Sequence, residues 1–408
     1  MLLNKQQKEF VLIEKKFFHR LFKFIINREF VILYILGIRI KIKSKILSKM
    51  LCKEIWAEYD KIIKAQNSYD LKELKNAKKI ILFIAELDGI SGGIISFFTL
   101  LECSRKLNPD AFCLMSTVPN TQNIFSAYSY YPNDEQIWRF DQIVKNAKNC
   151  KHLILHISEY YVSIFCKVLT EKEKKFLKEL QNLHINILNQ NIWLMPEPKD
   201  IQGLFELSKN VTQTLAFDKN ANQEVCDKWG IPSHLFSTNI DISRFKSYDF
   251  EEKQKIIVLS PDKNPYRKNI VNKLEKELPQ WSLVVVENMK FTDYMDLISR
   301  AFFTITFGEG FDGYFMQPHY VNSVGFAVYN ENFFPSKEWL KFENVYESYE
   351  DMEGQIVAEL KRLSQNKTQY NELIATNLKE HKKLYQENKF EDNLARFYEG
   401  KYDFVPRI

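Results

Sequence analysis

The sequence predicts an α/β protein with two domains, each built on a mostly parallel sheet that carries helices on both faces. Apolar strand-like runs alternate with helix-like segments from residue 78, and the same alternation begins again beyond residue 250. Such alternation is typical of parallel sheets, whose strands are buried on both sides. The chain has 408 residues, more than one compact core usually holds, so two domains with extensions are expected.

The first domain opens with the best-formed unit of the sequence. A continuous apolar run over residues 80–85 predicts a strand, and a loop with Gly89, Gly92 and Gly93 leads into an apolar helix. The spacing of these glycines differs from the GxGxxG dinucleotide fingerprint. They either let a phosphate or sugar approach the N-terminus of the helix, or they form a tight turn with positive φ. Gly92 and Gly93 are therefore candidates for ligand contact.

Strand-like and helix-like segments continue to the end of the chain. Further strands are expected at residues 111–117, 152–158, 185–191, 212–217, 255–261, 281–288, 302–307 and 325–330, and helices at 171–183, 219–229, 268–278, 292–300 and 353–395. A seam between the two runs lies at "STNIDISRF", residues 237–245. We divide the chain into a basic helical N-terminal extension, two α/β domains and a C-terminal helix that returns to the first domain, at residues 1–70, 71–240, 241–385 and 386–408.

The first 53 residues are strongly basic, with 13 Lys and Arg against three Glu. Residues 5–28 predict a helix with one apolar face, and "IRIKIKSKILSK" at 38–49 predicts a strand or a basic helix. This segment is either a surface that binds anionic lipid through apolar burial and positive charge, or an extension whose basic side faces water. An anionic membrane is thus one expected partner of residues 1–50.

Composition excludes several classes of protein. The apolar and charged fractions, 45% and 27%, are those of a soluble globular protein. No signal peptide is expected, and the longest early apolar run, residues 30–38, is shorter than the roughly 20 residues of a membrane-spanning helix. The six cysteines form no CxxC pair, so we expect reduced thiols, a cytoplasmic location and no metal site. No nucleic acid partner is expected.

A single glutamate stands between two glycines in "TFGEGFDGYFMQPHYVNSVGFAVYN", residues 306–330. Glu309 follows an apolar β-like run, and Gly308 and Gly310 flank it. It is either a solvated acid in a tight turn or a carboxylate at the carboxyl end of a strand, where parallel α/β sheets bind ligands.

The seam between the two domains resembles the linker of a glycosyltransferase family. Trp229–Pro232 ("WGIP") and Asn239–Phe245 ("NIDISRF") match, in order and spacing, the linker motifs of GT-B fold glycosyltransferases of the large retaining nucleotide-sugar class, the "glycosyl transferases group 1" type. Ile240 stands where that family has glycine. The resemblance covers residues 78–385 and implies two Rossmann-like domains with a cleft between them.

The glutamate turn carries the second part of the resemblance. Glu309, Gly310 and Phe311 are similar to the start of the family's E-G-F-G turn, and Asp312 replaces its last glycine. The family's second glutamate falls eight residues after the first, where this chain has Gln317, an amide that can hydrogen-bond a ribose hydroxyl. The resemblance implies that Glu309 is catalytic and that Gly310, Phe311 and Gln317 bind the donor together with Gly92 and Gly93.

Cations are expected near the donor because its leaving group is a diphosphate. Without a metal, the developing charge must be met by cations and by backbone N–H groups at helix N-termini. "SPDKNPYRKN", residues 260–269, supplies Lys263, Arg267 and Lys268, and Lys268 stands where the resemblance places the family's lysine. No DxD motif is present, which is typical of metal-free GT-B sites, so no metal and no cofactor are expected.

The acceptor side is expected at the end of a strand of the first domain. His156 lies within residues 152–158, and Glu159 follows the end of this run, where an acceptor hydroxyl would be presented. His156 is either a buried core residue or a group for acceptor contact and proton handling. We therefore assign His156 as a catalytic and acceptor-binding candidate and Glu159 as an acceptor-binding candidate.

The resemblance implies an enzyme that moves a sugar from a nucleotide-sugar donor to a saccharide acceptor, of the bacterial surface-polysaccharide type. With the basic N-terminus, we expect a lipid-linked acceptor in capsule or lipopolysaccharide synthesis, at the inner face of the cytoplasmic membrane. One alternative is a non-catalytic GT-B-like partner that binds saccharide or stabilises a transferase, since Gln317 replaces a carboxylate. Another is a nucleotide-sugar epimerase on the same fold.

Overall fold

A computed structural model describes the backbone of four strands within residues 13–43, Met50, and residues 53–85, 92–117, 133–216, 219–235, 242–243, 245–287, 289–384 and 387–407. Its strands form one antiparallel sheet near the N-terminus and two parallel sheets. The two Rossmann-like doubly wound domains predicted from the sequence are confirmed. Among the described residues, no helix has the length and apolarity to span a bilayer.

The N-terminal segment is a four-stranded antiparallel sheet. Its strands, in spatial order, are β1 (Ile13–Phe17), β2 (Phe22–Ile26), β3 (Phe30–Ile35) and β4 (Ile38–Lys43). The helix predicted over residues 5–28 is therefore wrong for its described part. These short runs are rich in Ile and Phe and fit a period of two as well as 3.6, and pairing with the neighbouring strands decides between the two.

Seven parallel strands form the sheet of the first domain. They are β5 (Lys79–Ala85), β6 (Phe112–Thr117), β7 (Ile137–Trp138), β8 (His152–Ser158), β9 (Asn182–Asn189), β10 (Asn210–Leu215) and β11 (Ser233–Leu235). Their spatial order is β11-β10-β9-β8-β5-β6-β7. The chain moves from β5 to one edge and then returns to β8 to build the other, so the switch point lies between β5 and β8. Ligands of open α/β sheets bind at the carboxyl ends of the strands at such a point.

Five parallel strands form the sheet of the second domain. They are β12 (Gln254–Leu259), β13 (Ser282–Val285), β14 (Ala301–Ile305), β15 (Val324–Val328) and β16 (Val345–Tyr346), in the order β13-β12-β14-β15-β16. The switch point of this sheet lies between β12 and β14. The segments that leave these two strands carry Asp262 and Glu309.

Fourteen helices are bounded in the described part of the chain. They are α1 (Lys53–Asn67), α2 (Lys72–Asn76), α3 (Gly92–Leu107), α4 (Phe140–Asn146), α5 (Val162–Val168), α6 (Glu171–Glu179), α7 (Gln202–Phe205), α8 (Gln223–Trp229), α9 (Arg267–Glu277), α10 (Phe291–Arg300), α11 (Gly313–Tyr320), α12 (Tyr349–Leu363), α13 (Lys367–Leu384) and α14 (Glu387–Tyr398). The helical segment predicted at 353–395 is thus divided among three helices, and the helix predicted at 171–183 ends before β9 begins.

Local sequence signals explain where α8 begins and ends before the seam. The side chain of Asn222 caps α8 by accepting a hydrogen bond from the Val225 N–H at 2.9 Å. Gly230 ends this helix with φ 65°, a left-handed conformation that glycine adopts without strain. Pro232 then prevents the helix from continuing, and β11 follows.

The end of the chain lies against the first domain. The hydroxyl groups of Tyr398, on α14, and Ser104, on α3, are 2.6 Å apart. Phe404 and Ser233 exchange backbone hydrogen bonds of 2.9 and 3.0 Å, which adds a bridge at the edge strand β11. The last residues therefore belong structurally with the first sheet.

Candidate functional site

Glu309 lies in a tight turn between β14 and α11. Both flanking glycines lie close against neighbouring groups in this turn. A β-carbon at Gly308 would lie 2.8 Å from Asp262 Oδ2, and one at Gly310 would lie 2.5 Å from the Val328 carbonyl oxygen. Gly310 also has φ 86°, which disfavours any side chain. The glycines thus let the turn that carries Glu309 lie close to Asp262, which follows β12, and to Val328, which ends β15.

The carboxylate of Glu309 contacts the first domain. Asn191 follows β9, and its Nδ2 donates a hydrogen bond to Glu309 Oε1 at 2.5 Å. Burial and the nearby charge of Asp262 raise the pKa of the Glu309 carboxyl to about 7, although the hydrogen bond from Asn191 acts in the opposite direction. Glu309 is therefore a partly buried carboxyl group that can change protonation near neutral pH.

Glu159 reaches the same place from the first domain. It begins a short 3-10 turn directly after β8, and only 3% of its surface is exposed. Its Oε1 accepts the backbone N–H of Asn191 at 3.0 Å, while its Oε2 has no hydrogen-bond partner among the described residues. Burial raises the pKa of Glu159 to about 7. Asn191 thus lies between two carboxyl groups, one from each domain.

Asp312 has a structural role in the second domain. Its Oδ1 accepts the backbone N–H of Phe315 at 3.0 Å and caps α11, and its Oδ2 accepts the Thr306 hydroxyl at 2.6 Å. Burial raises the pKa of Asp312 to about 7, and the charges of Glu309 and Asp262 act in the same direction. The residue that replaces a family glycine is thus a helix cap beside the glutamate turn.

Of the three predicted cations, Arg267 is the one with a described contact at the turn. It is the first residue of α9, and its guanidinium carbon lies 5.7 Å from the centre of the Phe307 ring. Its Nε is buried and has no hydrogen-bond partner among the described residues. Lys263 and Lys268 are exposed.

The N-terminus of α3 lies on the same side as Asn191. Gly92 is exposed, and a β-carbon on it would meet none of the described residues within 4 Å. Gln190 Nε2 donates to Ser96 Oγ at 2.8 Å, and this bond ties the first turn of α3 to the segment that carries Asn191. The predicted contact residues Gly92 and Gly93 therefore lie beyond the carboxyl end of β5, on the side of the first sheet that carries Asn191. Gly89 lies outside the described residues.

His156 lies in the core of the first domain, and its catalytic and acceptor-binding roles stay predictions. It is fully buried, its ring stacks on Phe83 at 4.5 Å, and its Nδ1 lies 3.2 Å from Asn186 Nδ2. Burial lowers the pKa of the His156 imidazole to about 3. Its place in the middle of β8 puts it under α14, where Tyr398 packs edge-on against it.

Two predicted donor residues differ in their surroundings. Phe311 is a core residue whose ring packs on Phe334 at 5.2 Å and on Trp339 at 4.9 Å, and its contact with the donor stays a prediction. Gln317 is partly buried on α11, and its amide nitrogen would be 3.1 Å from a β-carbon at Gly313. The glycine therefore makes room for the Gln317 side chain.

Asn191 and Asp262 were not among the residues selected from the sequence. Each lies a few residues after a strand end, and this position is the signal that could have found them. A polar residue after a strand is common in loops, however, and their pairing with Glu309 depends on how the two domains meet.

The arrangement favours the binding of hydroxyl groups and proton transfer near neutral pH. Glu309 and Glu159 are carboxyl groups with raised pKa values, and Asn191 lies between them. An anionic ligand group would find Arg267 and the N-termini of α3 and α9. Among the described residues, no group of three or more His, Cys, Asp or Glu side chains is arranged to hold a metal ion.

No family model matches the chain, and no curated protein matches it. Solved structures that are similar to it include an alpha-glucosyltransferase in complex with UDP and a 13-mer DNA containing an HMU base, at 12% identity over 78% of this chain and 94% of that one, with a TM-score of 0.48. HepE from Anabaena, in complex with UDP and glucose, is 9% identical over 79% and 95% of the two chains, with a TM-score of 0.48. A glycosyltransferase from Rickettsia africae is 9% identical over 76% and 98%, with a TM-score of 0.43.

Proposed function

We propose that the protein is a glycosyltransferase that moves a sugar from a nucleotide-sugar donor to a saccharide acceptor in the cleft between its two α/β domains. The observation that carries the proposal is the position of Glu309. It lies in a turn beyond β14, at the switch point of the second sheet, and it contacts Asn191 of the first domain. A carboxylate in such a place can hold donor hydroxyls or face the positive charge that develops at the anomeric carbon.

The donor diphosphate would lie between the glutamate turn and the start of α9. Arg267 has an unpaired buried Nε there, among the described residues, and the exposed Lys263 and Lys268 add positive charge nearby. Backbone N–H groups at the N-terminus of α3 and at Gly310 can meet the remaining phosphate charge. These groups support transfer without a metal ion.

The acceptor would enter from the first domain beside Glu159. The free Oε2 of this buried carboxyl group can accept a hydrogen bond from an acceptor hydroxyl. We further propose that this acceptor is a lipid-linked saccharide of the capsule or lipopolysaccharide type, with the enzyme at the inner face of the cytoplasmic membrane.

The register of the N-terminal sheet supports the membrane proposal. One face of the sheet holds 11 apolar residues at 12 positions: Ile13, Lys15, Phe17, Phe22, Phe24, Ile26, Val31, Leu33, Ile35, Ile38, Ile40 and Ile42. The other face holds five basic residues: Lys16, Lys23, Arg39, Lys41 and Lys43. Apolar burial combined with attraction to anionic headgroups gives reversible attachment to a bilayer.

Vesicle binding tests the membrane proposal. Full-length protein should sediment with vesicles containing phosphatidylglycerol and should be released as salt rises, because exposed charges are screened. Deleting residues 1–50, or reversing Lys41 and Lys43 to Glu, should weaken binding. Reversing Lys172 and Lys178 on α6 makes the same charge change and should leave it unchanged. Equal sedimentation of full-length and truncated protein would contradict the proposal.

Thermal shift against a panel of UDP-, GDP-, dTDP- and CMP-sugars tests the main proposal. A donor that binds the folded state raises the melting temperature by mass action. Release of the nucleoside diphosphate in the presence of saccharide acceptors then reports transfer. A wild-type protein that neither binds nor turns over any of these donors would overturn the glycosyltransferase assignment.

Gln317 favours a second candidate, a non-catalytic GT-B-like partner. This residue lies on α11 where the resembling family has a carboxylate, and an amide carries no charge for the donor. Saccharide or nucleotide binding without any release of nucleoside diphosphate would favour this candidate. Gain of activity on Gln317→Glu would indicate that the substitution is what limits catalysis.

A further inference from the structure

Three hydrogen bonds orient Asn191 and fix the directions in which its side-chain oxygen and nitrogen point. Its Oδ1 accepts the backbone N–H of Trp193 at 2.9 Å and caps the short 3-10 helix Ile192–Leu194. The amide nitrogen must then point away from that helix, and it donates to Glu309 Oε1. The backbone N–H of Asn191 donates to Glu159.

We propose that Asn191 is a positioning residue that aims the Glu309 carboxylate at the donor sugar, and that Glu159 holds Asn191 in place for this purpose. The proposal rests on the glycosyltransferase function proposed above. Two residues of the first domain, Asn191 and Glu159, thus orient the Glu309 carboxylate of the second domain.

Other contacts between the domains keep this geometry in register. Trp193 packs edge-on against Phe333 of the second domain at 4.4 Å. Lys219 Nζ donates to the Glu331 carbonyl oxygen at 2.6 Å. The segment that carries Asn191 is therefore fixed on both sides, and the Glu309 carboxylate is fully oriented only when the two domains meet as they do here.

The hydrogen bond from Asn191 also has an electrostatic effect on Glu309. The charged groups near this turn are Asp262, Asp312 and Arg267 of the second domain, and Glu159 lies behind Asn191. Burial and the charge of Asp262 oppose ionisation of Glu309. The Asn191 amide favours the ionised form, so its loss should raise the pKa of Glu309 and move the acid limb of a pH–rate profile to higher pH.

Asn191→Ala, Asn191→Asp and Glu159→Gln test the proposal, with Asn149→Ala as a matched control. Asn149 is exposed and donates one amide hydrogen bond to the Lys75 carbonyl oxygen, away from Glu309.

The kinetic test uses the donor from the panel that the wild-type protein turns over. Asn191→Ala should lower kcat for this donor by about a hundredfold, since small misplacements of a reacting group have effects of this size. Nucleoside diphosphate binding should stay within about twofold of wild type, because the phosphate contacts are unchanged. The acid limb should move upward in Asn191→Ala and stay in place in Asn149→Ala.

A double-mutant cycle on thermal unfolding provides a test that needs no activity. The melting-temperature changes of Asn191→Ala and Glu309→Ala should be non-additive, because the two side chains contact each other and each variant removes that contact. Additive changes, or a wild-type kcat and pH profile in Asn191→Ala, would overturn the positioning role. If the wild-type protein turns over no donor while the cycle is non-additive, the glycosyltransferase function fails and the contact between Asn191 and Glu309 stands.

Discussion

Asp262 and Gly308 lie so close that a β-carbon on the glycine would be 2.8 Å from the Asp262 carboxylate. The two residues follow adjacent strands of the second sheet, β12 and β14. The contact holds the Asp262 carboxylate beside the turn, where burial and the charge of Asp262 raise the pKa of Glu309.

The two glycines that flank Glu309 should differ in their tolerance of alanine. At Gly308 the obstacle is the end of the Asp262 side chain, which can rotate, so Gly308→Ala should lower the free energy of unfolding by about 1 kcal/mol or less. At Gly310 the obstacle is the Val328 backbone and φ is 86°, so Gly310→Ala should lower it by about 2–3 kcal/mol. Urea unfolding measures both, and equal losses would contradict the described turn.

Glu309→Gln should leave the protein folded and reduce sugar transfer by at least about a hundredfold, near 2.7 kcal/mol of transition-state stabilisation. The amide keeps the shape of the side chain but removes the charge that faces the anomeric carbon, so donor binding should suffer less than turnover. Steady-state kinetics and thermal unfolding check the two parts separately. Turnover equal to that of wild type would show that Glu309 is a turn residue without a catalytic role.

Arg267 should contribute more to diphosphate binding than Lys268. The Arg267 guanidinium lies against Phe307 next to the glutamate turn, whereas Lys268 is exposed. Arg267→Ala should weaken binding of the nucleoside diphosphate by several-fold or more, since a charge-assisted hydrogen bond in a sheltered cleft contributes about 1.5–3 kcal/mol. The double variant with Lys268→Ala should be weaker still. Titration calorimetry measures the affinities, and unchanged binding in both variants would move the phosphate site elsewhere.

Glu159 should make stability depend on pH between its two pKa values. Its ordinary pKa of 4.5 is raised to about 7 in the folded protein, so within this window the folded state holds a proton that the unfolded chain has released. The free energy of unfolding therefore falls as pH rises from 4.5 to 7, by up to about 3 kcal/mol, and this loss is complete above pH 7.

Glu159→Gln should remove this contribution. The pKa values of Glu309 and Asp312 are raised as well, but both residues are present in wild type and variant. The difference in stability between the two proteins therefore isolates Glu159. Urea unfolding at pH 5 and pH 8 should show a smaller loss of stability for Glu159→Gln. Parallel losses in the two proteins would show that the carboxyl group of Glu159 is not desolvated as described.

Long apolar strands and capped helices could be predicted from the sequence, because their signals are local. The run at β5 is continuous and apolar, and the Gly230–Pro232 turn is visible in the sequence alone. The N-terminal strands could not be told from a helix in the same way. Their residues satisfy both periods, and hydrogen bonds to partner strands decide between them.

The sequence by itself determined the alternation of strands and helices, the two α/β domains and the place of the Gly308-Glu309-Gly310 turn after a strand, since each follows from neighbouring residues. Only the tertiary structure decided which side chains meet at that turn. Asn191 is 118 residues from Glu309, and Asp262 reaches Gly308 from a different strand, so no local pattern reports either contact. The tertiary structure also buried His156, because Tyr398, on the helix that covers it, lies 242 residues later in the chain. Contacts between residues so far apart depend on chain folding, and side-chain chemistry alone does not specify them.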